Sequence, residues 1–350
     1  MNPVLDTPER LRYLSGGMLE NLERFPESCM EAIEEAEQLP LTLLKGRDFR
    51  AVVVAGMGGS AIGGHLLSNW LRETCPIPIH ISRGYHLPAF VNSETLVLAV
   101  SYSGNTEETL TVLEELLEKG YTVITVTSNG EMKRISEEKG LPTLSLPMGM
   151  QPRAALPNQF FLLATLINRL GLTAGSWSEV GEALDVLKVL RRDLTPEIPS
   201  TQNPAKQLAL ALKGFVPFIY GPQLFEAVSY RMGTQLNENS KIPAGSGFFP
   251  EVFHNVIMSR EGPWEVRSRI CAVLIRDTKG PLEIEQKVDA FKKLLETKVG
   301  RVLEIQAQGQ GKLARMLSTL YIGDYTATYL GLLHGINPSS SDSIAALKAA

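Results

Sequence analysis

Cysteine is scarce in this chain, and its few copies do not pair up. Cys29, Cys75 and Cys271 are odd in number, widely spaced and contain no C-x-x-C. This speaks against a disulfide framework or a zinc knuckle and fits buried thiols in a reducing compartment. Charge of one sign is missing as well. The formal net charge of −4 is interspersed along 350 residues without a run of like sign, so there is no basic field to attract nucleic acid. Long apolar runs are absent. The longest, Phe160–Ile167, falls well short of the ~20 residues a membrane span needs, and Met1-Asn2-Pro3 does not open a signal peptide. The histidines at 65, 80, 86, 254 and 334 form no H-x-H or H-E-x-x-H cluster, which removes the common metal-ligand spacings. What remains reads as a cytoplasmic chain with no nucleic acid, membrane or metal partner.

With 44% hydrophobic and 21% charged residues, the chain is long enough for two cores. Asp6-Thr7-Pro8-Glu9 has the features of a helix start, and Glu31 to Gln38 continues in helical pattern. Apolar, β-rich segments at 51–55, 77–82, 96–100, 122–126 and 143–146 alternate with helical patterns at 65–72, 106–119 and 131–138. Strands alternating with helices predict a doubly wound parallel sheet. Helical stretches at 159–170 and 177–190 follow, and Thr195–Pro204, rich in proline and polar residues, reads as a linker. The pattern then repeats, with strands at 215–220, 270–275 and 301–305 and helices at 223–237, 282–297 and 311–332, which predicts a duplicated fold. The expected boundaries are 1–172 for the first domain, 173–204 for a helix and linker, and 205–350 for the second.

The densest chemistry lies in Ser101-Tyr102-Ser103-Gly104-Asn105-Thr106, where a buried strand ends in hydroxyls and opens a helix. Amides at a helix start, with the positive end of the dipole behind them, form an anion site. One cap residue, Asn105 or Thr106, with Glu107 or Glu108, would suffice for a capping box. Three hydroxyls around one glycine exceed that need. A second turn, Gly56-Met57-Gly58-Gly59-Ser60-Ala61, has the G-x-G-x-x-A spacing of a dinucleotide fingerprint, so an NADP-dependent reductase is one reading. His80-Ile81-Ser82-Arg83, at the next strand end, offers a cation where NAD would want a carboxylate. A dinucleotide has no evident use for Ser101, Ser103 and Thr106; a small phosphate monoester does.

Met57–Gly64 together with Ser101–Thr106 resembles the sugar isomerase (SIS) domain. Pro152-Arg153-Ala154-Ala155-Leu156, Asn237–Lys241, Pro250–Asn255, Tyr321–Tyr325 and the stretch to Ala346-Leu347-Lys348, in that order, are similar to the bifunctional phosphoglucose/phosphomannose isomerase family. The likeness runs from about Ala51 to Lys348. It implies two SIS domains, each a flavodoxin-like three-layer α/β sandwich around a parallel sheet, in a homodimer. It further implies interconversion of fructose 6-phosphate with glucose 6-phosphate and mannose 6-phosphate, with no metal and no cofactor.

By that resemblance Gly58, Gly59, Ser60, Ser101, Ser103 and Thr106 hold the substrate phosphate. Glu238 matches the base that moves a proton between C1 and C2 through an enediolate, and Arg153 the cation near those carbons. His254 and Lys348 match the ring-opening pair, His254 reaching the partner subunit's site. Taken alone, Glu238 and Lys348 would pass for surface residues, His254 for a core histidine and Arg153 for an ion-pair partner. Lys241 and Glu251 are assigned structural roles. The family often has Asp-Pro-Thr where this chain has Asn337-Pro338-Ser339, which makes Ser339 a possible substrate contact and bears on the glucose-to-mannose preference. His65 stands where aspartate is common. A non-catalytic SIS sensor of sugar phosphates would keep the serine turns but has no need of Glu238, His254 and Lys348.

Overall fold

Proline at helix starts and glycine at helix ends mark out the elements along the chain. The computed structural model describes residues 2–44 and 46–348, with Leu43 and Lys348 described by backbone alone. The chain divides into two compact units, Phe25–Ser178 and a second made of Met1–Arg24 with Glu179–Ala350. The first elements are α1 (Pro8–Ser15) and α2 (Met18–Glu23). Both belong to the second unit. The expected partition at 172 and 204 therefore differs from the observed one, which crosses back to the N-terminus.

The unit Phe25–Ser178 holds α3 (Phe25–Gln38), β1 (Ala51–Ala55), α4 (Gly59–Trp70), β2 (Ile79–Ser82), β3 (Thr95–Ser101), α5 (Glu107–Lys119), β4 (Val123–Thr127), α6 (Gly130–Lys139), β5 (Thr143–Ser145) and α7 (Leu156–Arg169). Its strands are all parallel in the order β2-β1-β3-β4-β5. β1, β3 and β4 are buried along their whole length, as apolar strands covered on both faces must be. Val53, Val97, Ala99 and Val123 meet Val112, Leu113 and Leu116 of α5 and Met132 of α6. Apolar burial of this kind stabilises by about 25 cal/mol per Å². α3, α4 and α7 pack together as a second layer, with Trp70 and Phe160 rings 6.0 Å apart.

The other unit continues with α8 (Val180–Leu194), α9 (Pro204–Leu212), β6 (Val216–Pro222), α10 (Glu226–Asn239), β7 (Gly245–Phe249), α11 (Trp264–Arg267), β8 (Ile270–Arg276), α12 (Leu282–Glu296), β9 (Arg301–Gln306), α13 (Lys312–Leu333) and α14 (Asp342–Lys348). Its sheet is parallel in the order β7-β6-β8-β9. The expected duplication is present: β6, β8 and β9 repeat β1, β3 and β4, and β7 takes the edge place of β2. β7 itself is a strand the sequence did not predict. α13 is buried along nearly its whole length, against α8, α9 and α10. Its Tyr321 and Tyr329 hydroxyls donate to the carbonyls of Leu22 and Leu194, each at 2.6 Å.

Thr195–Pro204 is not a free linker. Ser200 donates its amide (2.6 Å) and hydroxyl (2.8 Å) to Asp6, and Asn203 caps α9 through the amides of Ala205 and Lys206. Lys206, fully buried, donates to the carbonyls of Pro196 and Ile198 at 2.7 and 2.8 Å. The proline-rich stretch is a folded turn of its own unit. Among the described residues no helix is long and apolar enough to cross a membrane.

Candidate active site

β1 and β3 are neighbours, Val54 opposite Leu98, and the strand order reverses between them. The turns that follow them therefore lie side by side at the switch point of the first sheet, where doubly wound folds bind ligands. Ser60, in the first turn of α4, accepts from the Tyr102 amide at 3.1 Å and joins the two turns. Ser101 is fully buried and its hydroxyl donates to Thr106 Oγ1 at 2.9 Å. Ser103 accepts from the Asn105 amide at 3.3 Å.

The capping alternative fails on the geometry. Thr106 stands at the N-cap of α5 with φ −76° and ψ 115°, yet makes no side-chain cap hydrogen bond. Gly58, at the N-cap of α4, has no side chain to cap with. Asn105, the other expected cap, turns instead to α6 and accepts from the Glu131 amide at 2.9 Å. Two helix starts thus open on adjacent turns without a side-chain cap, and the Ser101 bond leaves the Thr106 O–H to point elsewhere. Uncapped helix starts of this kind leave amides that can meet an anion.

Glycine is required at one place and a side chain would be crowded at another. Gly104 has φ +68°, and a Cβ there would fall 1.7 Å from the Asn129 carbonyl. At Gly59 a Cβ would meet the Arg153 backbone nitrogen at 3.2 Å. The second approach brings the Pro152-Arg153 segment against the glycine turn, with Arg153 buried. Sequence reasoning passed over Ser128, whose hydroxyl donates to the Tyr102 carbonyl at 2.6 Å. Thr127-Ser128-Asn129-Gly130, a polar run after an apolar strand, carried the signal. His65, on α4, lies 3.5 Å from the Arg83 guanidinium. Burial and that neighbouring cation push its imidazole down to about 4, so it is neutral at physiological pH.

The second sheet has no counterpart to these turns. After β8 stands Asp277, buried and ion-paired with Arg315 of α13. The start of α13 is closed by carboxylates: Glu182 accepts from Gly311 at 2.9 Å and Glu179 from Leu313 at 2.8 Å. Asp277 thus stands after β8 where the hydroxyl turn follows β3, and a phosphate there would meet like charge.

Glu238 lies half-buried in the last turn of α10, on a cavity of about 430 Å³ also lined by Asn237, Lys241, Ser340, Asp342 and Ile344. Lys241, with φ +55°, donates its ammonium to the carbonyls of Glu238 and Ser340 and ties the C-terminal segment to α10. His254 is exposed, after the turn Glu251–Phe253 that follows β7, not in a core. The Ser339 hydroxyl donates to the carbonyls of Ser15 and Gly16 at 2.9 and 2.7 Å, so its bonds go to backbone. The Lys348 side chain lies outside the described residues. Among those residues, no group of three or more His, Cys, Asp or Glu is placed to hold a metal ion.

The SIS domain family matches residues 47–169, and the bacterial phospho-glucose isomerase C-terminal SIS domain family matches residues 201–350. A bifunctional phosphoglucose/phosphomannose isomerase from Caldicellulosiruptor bescii is 38% identical over 332 residues, 95% of this chain and 98% of that one. A D-glucosamine-6-phosphate 4-epimerase from Sulfolobus acidocaldarius is 34% identical over 203 residues, 58% of this chain and 61% of that one. Among solved structures, a glucose-6-phosphate isomerase like protein from Thermus thermophilus superposes with a TM-score of 0.63 at 20% identity, covering 99% of this chain and 98% of that one; it speaks to the fold alone. Two SIS domains in tandem, with full-length similarity at this level, make the chain a member of the bifunctional phosphoglucose/phosphomannose isomerase family.

Proposed function

We propose that the protein is an aldose–ketose isomerase interconverting fructose 6-phosphate with glucose 6-phosphate and mannose 6-phosphate. The observation that carries this reading is the pair Ser101 and Thr106, whose hydroxyls are bonded to each other at a helix start that neither caps. A phosphate of about −2 charge held by Ser60, Ser101, Ser103, Thr106 and the amides of Gly58 and Gly59 needs no lysine. Each such charge-assisted bond contributes about 1.5–3 kcal/mol.

In this reading His254 and Lys348 open the sugar ring. Glu238 takes a proton from C1 of the open-chain ketose, the C–H electron pair forms the C1–C2 double bond of an enediolate, and Arg153 balances its charge. The O1 proton passes to O2, the O1 electrons form the C1 carbonyl as the C1–C2 double bond takes the proton back at C2, and return to one face of C2 gives glucose 6-phosphate, to the other mannose 6-phosphate. The electrons stay within the substrate, so the step calls for no external oxidant or reductant. The reading includes neither metal nor cofactor, and a homodimer in which His254 serves the partner subunit's site.

The test removes the phosphate donors and leaves the base in place. Ser101→Ala with Thr106→Ala raises KM for fructose 6-phosphate about tenfold or more, because these bonds act in ground and transition state alike. An assay that reads both aldose products measures it. An unchanged KM in a folded double variant overturns the anion site.

A further inference from the structure

Between β7 and β8 the chain passes through the turns Glu251–Phe253 and Val256–Glu261, and its polar residues Glu251, His254, Asn255 and Ser259 are exposed. Arg260 is not: it is 2% exposed. Its guanidinium donates to the Tyr220 hydroxyl on β6 and stands 4.9 Å from the centroid of the Phe218 ring, while its Nε has no acceptor. Among the described residues it makes no ion pair. The adjacent carboxylate, Glu261, pairs with Lys298 at 3.3 Å. Tyr220 supplies no charge, since burial pushes its hydroxyl up and keeps it a neutral phenol.

A buried cation held by one hydroxyl and a ring face is costly. Methionine or leucine would fill the space without that cost. Groups of this kind are retained where they hold one arrangement against others, and the arrangement here is that of the His254 loop. On the other side of His254, Phe253 stacks on Phe249 at 4.7 Å and packs edge-on against Phe291 at 5.6 Å. The loop is therefore held at both ends of the exposed stretch, by a ring before His254 and a guanidinium after it.

We infer that Arg260, through Tyr220, is a positioning residue that fixes the His254 loop for ring opening. The inference rests on the ring-opening role proposed for His254. The experiment compares two substrates, fructose 6-phosphate and 5-deoxyfructose 6-phosphate. The second has no hydroxyl that can close a five- or six-membered ring, because C6 carries the phosphate, so it needs no ring opening. Arg260→Met lowers kcat on the cyclic sugar about tenfold or more and leaves the acyclic one within about twofold, the same selective loss as in His254→Ala. Tyr220→Phe, which removes one oxygen, gives a smaller loss in the same direction and serves if Arg260→Met does not fold. Equal loss on both substrates in a folded variant, or no loss on either, overturns the role of Arg260 while the His254→Ala selectivity stands. If His254→Ala itself shows no selectivity, the ring-opening assignment is what fails, and the role of Arg260 with it.

Discussion

Glu238→Gln lowers kcat by about 10²–10⁴-fold, the usual scale for loss of a general base, with KM for fructose 6-phosphate little changed. Glutamine keeps the volume and the planar end of the side chain, but its amide cannot accept the C1 proton. Lys241 donates to the carbonyls of Glu238 and Ser340, bonds that the substitution leaves in place. A loss in kcat without a loss in melting temperature thus reads the base alone. Steady-state kinetics beside a thermal melt measures it, and near wild-type turnover would return Glu238 to the status of a half-exposed helix residue.

The second large effect concerns two chains at once. If His254 acts in the partner subunit's site, Glu238→Gln homodimers and His254→Ala homodimers are both nearly inactive, because every site lacks one group. Mixing them with subunit exchange creates heterodimers in which one site has the intact Glu238 of the His254→Ala chain and the intact His254 of the Glu238→Gln chain. Under two-fold symmetry about half the dimers are mixed, each with one complete site of two, so roughly a quarter of wild-type activity returns. The exposure of His254 on its loop is what a residue serving another chain requires. Activity that stays at background while mass spectrometry confirms exchange would place His254 within its own chain's site or outside the chemistry.

Some of this was legible in the sequence because local pattern and global fold agree. The runs at 51–55, 95–101 and 123–127 are mostly apolar and rich in β-branched residues, and become the buried central strands. The crowd of hydroxyls at 101–106 marked a turn with more donors than a cap consumes, and the Ser101–Thr106 bond gives that surplus a geometry. β7 was not legible. Ala244-Gly245-Ser246-Gly247 has no β-branched residue, and pairing with β6 at the sheet edge makes it a strand. Nor was the folded state of Thr195–Pro204, since the partners that hold it, Asp6 above all, are distant in sequence. The same holds for the grouping of the N-terminal helices with the second unit: bonds such as Tyr321 to Leu22 and Ser339 to Ser15 leave no local trace. His254 and Lys348 carry no signal of periodicity or propensity, and their roles came from resemblance alone. Arg260 left none at all, because an arginine in a polar loop gives no warning that it is buried.

The measurement that bears most directly on the central claim is the conversion of fructose 6-phosphate in D₂O, with the products read by NMR. A carboxylate that moves a proton through an enediolate exchanges it with solvent before returning it. The account predicts that both glucose 6-phosphate and mannose 6-phosphate form, and that each carries deuterium at C2 in at least part of the product. A C4 epimer as the product, no turnover of bound sugar phosphate, or aldoses formed with protium alone at C2 would contradict it.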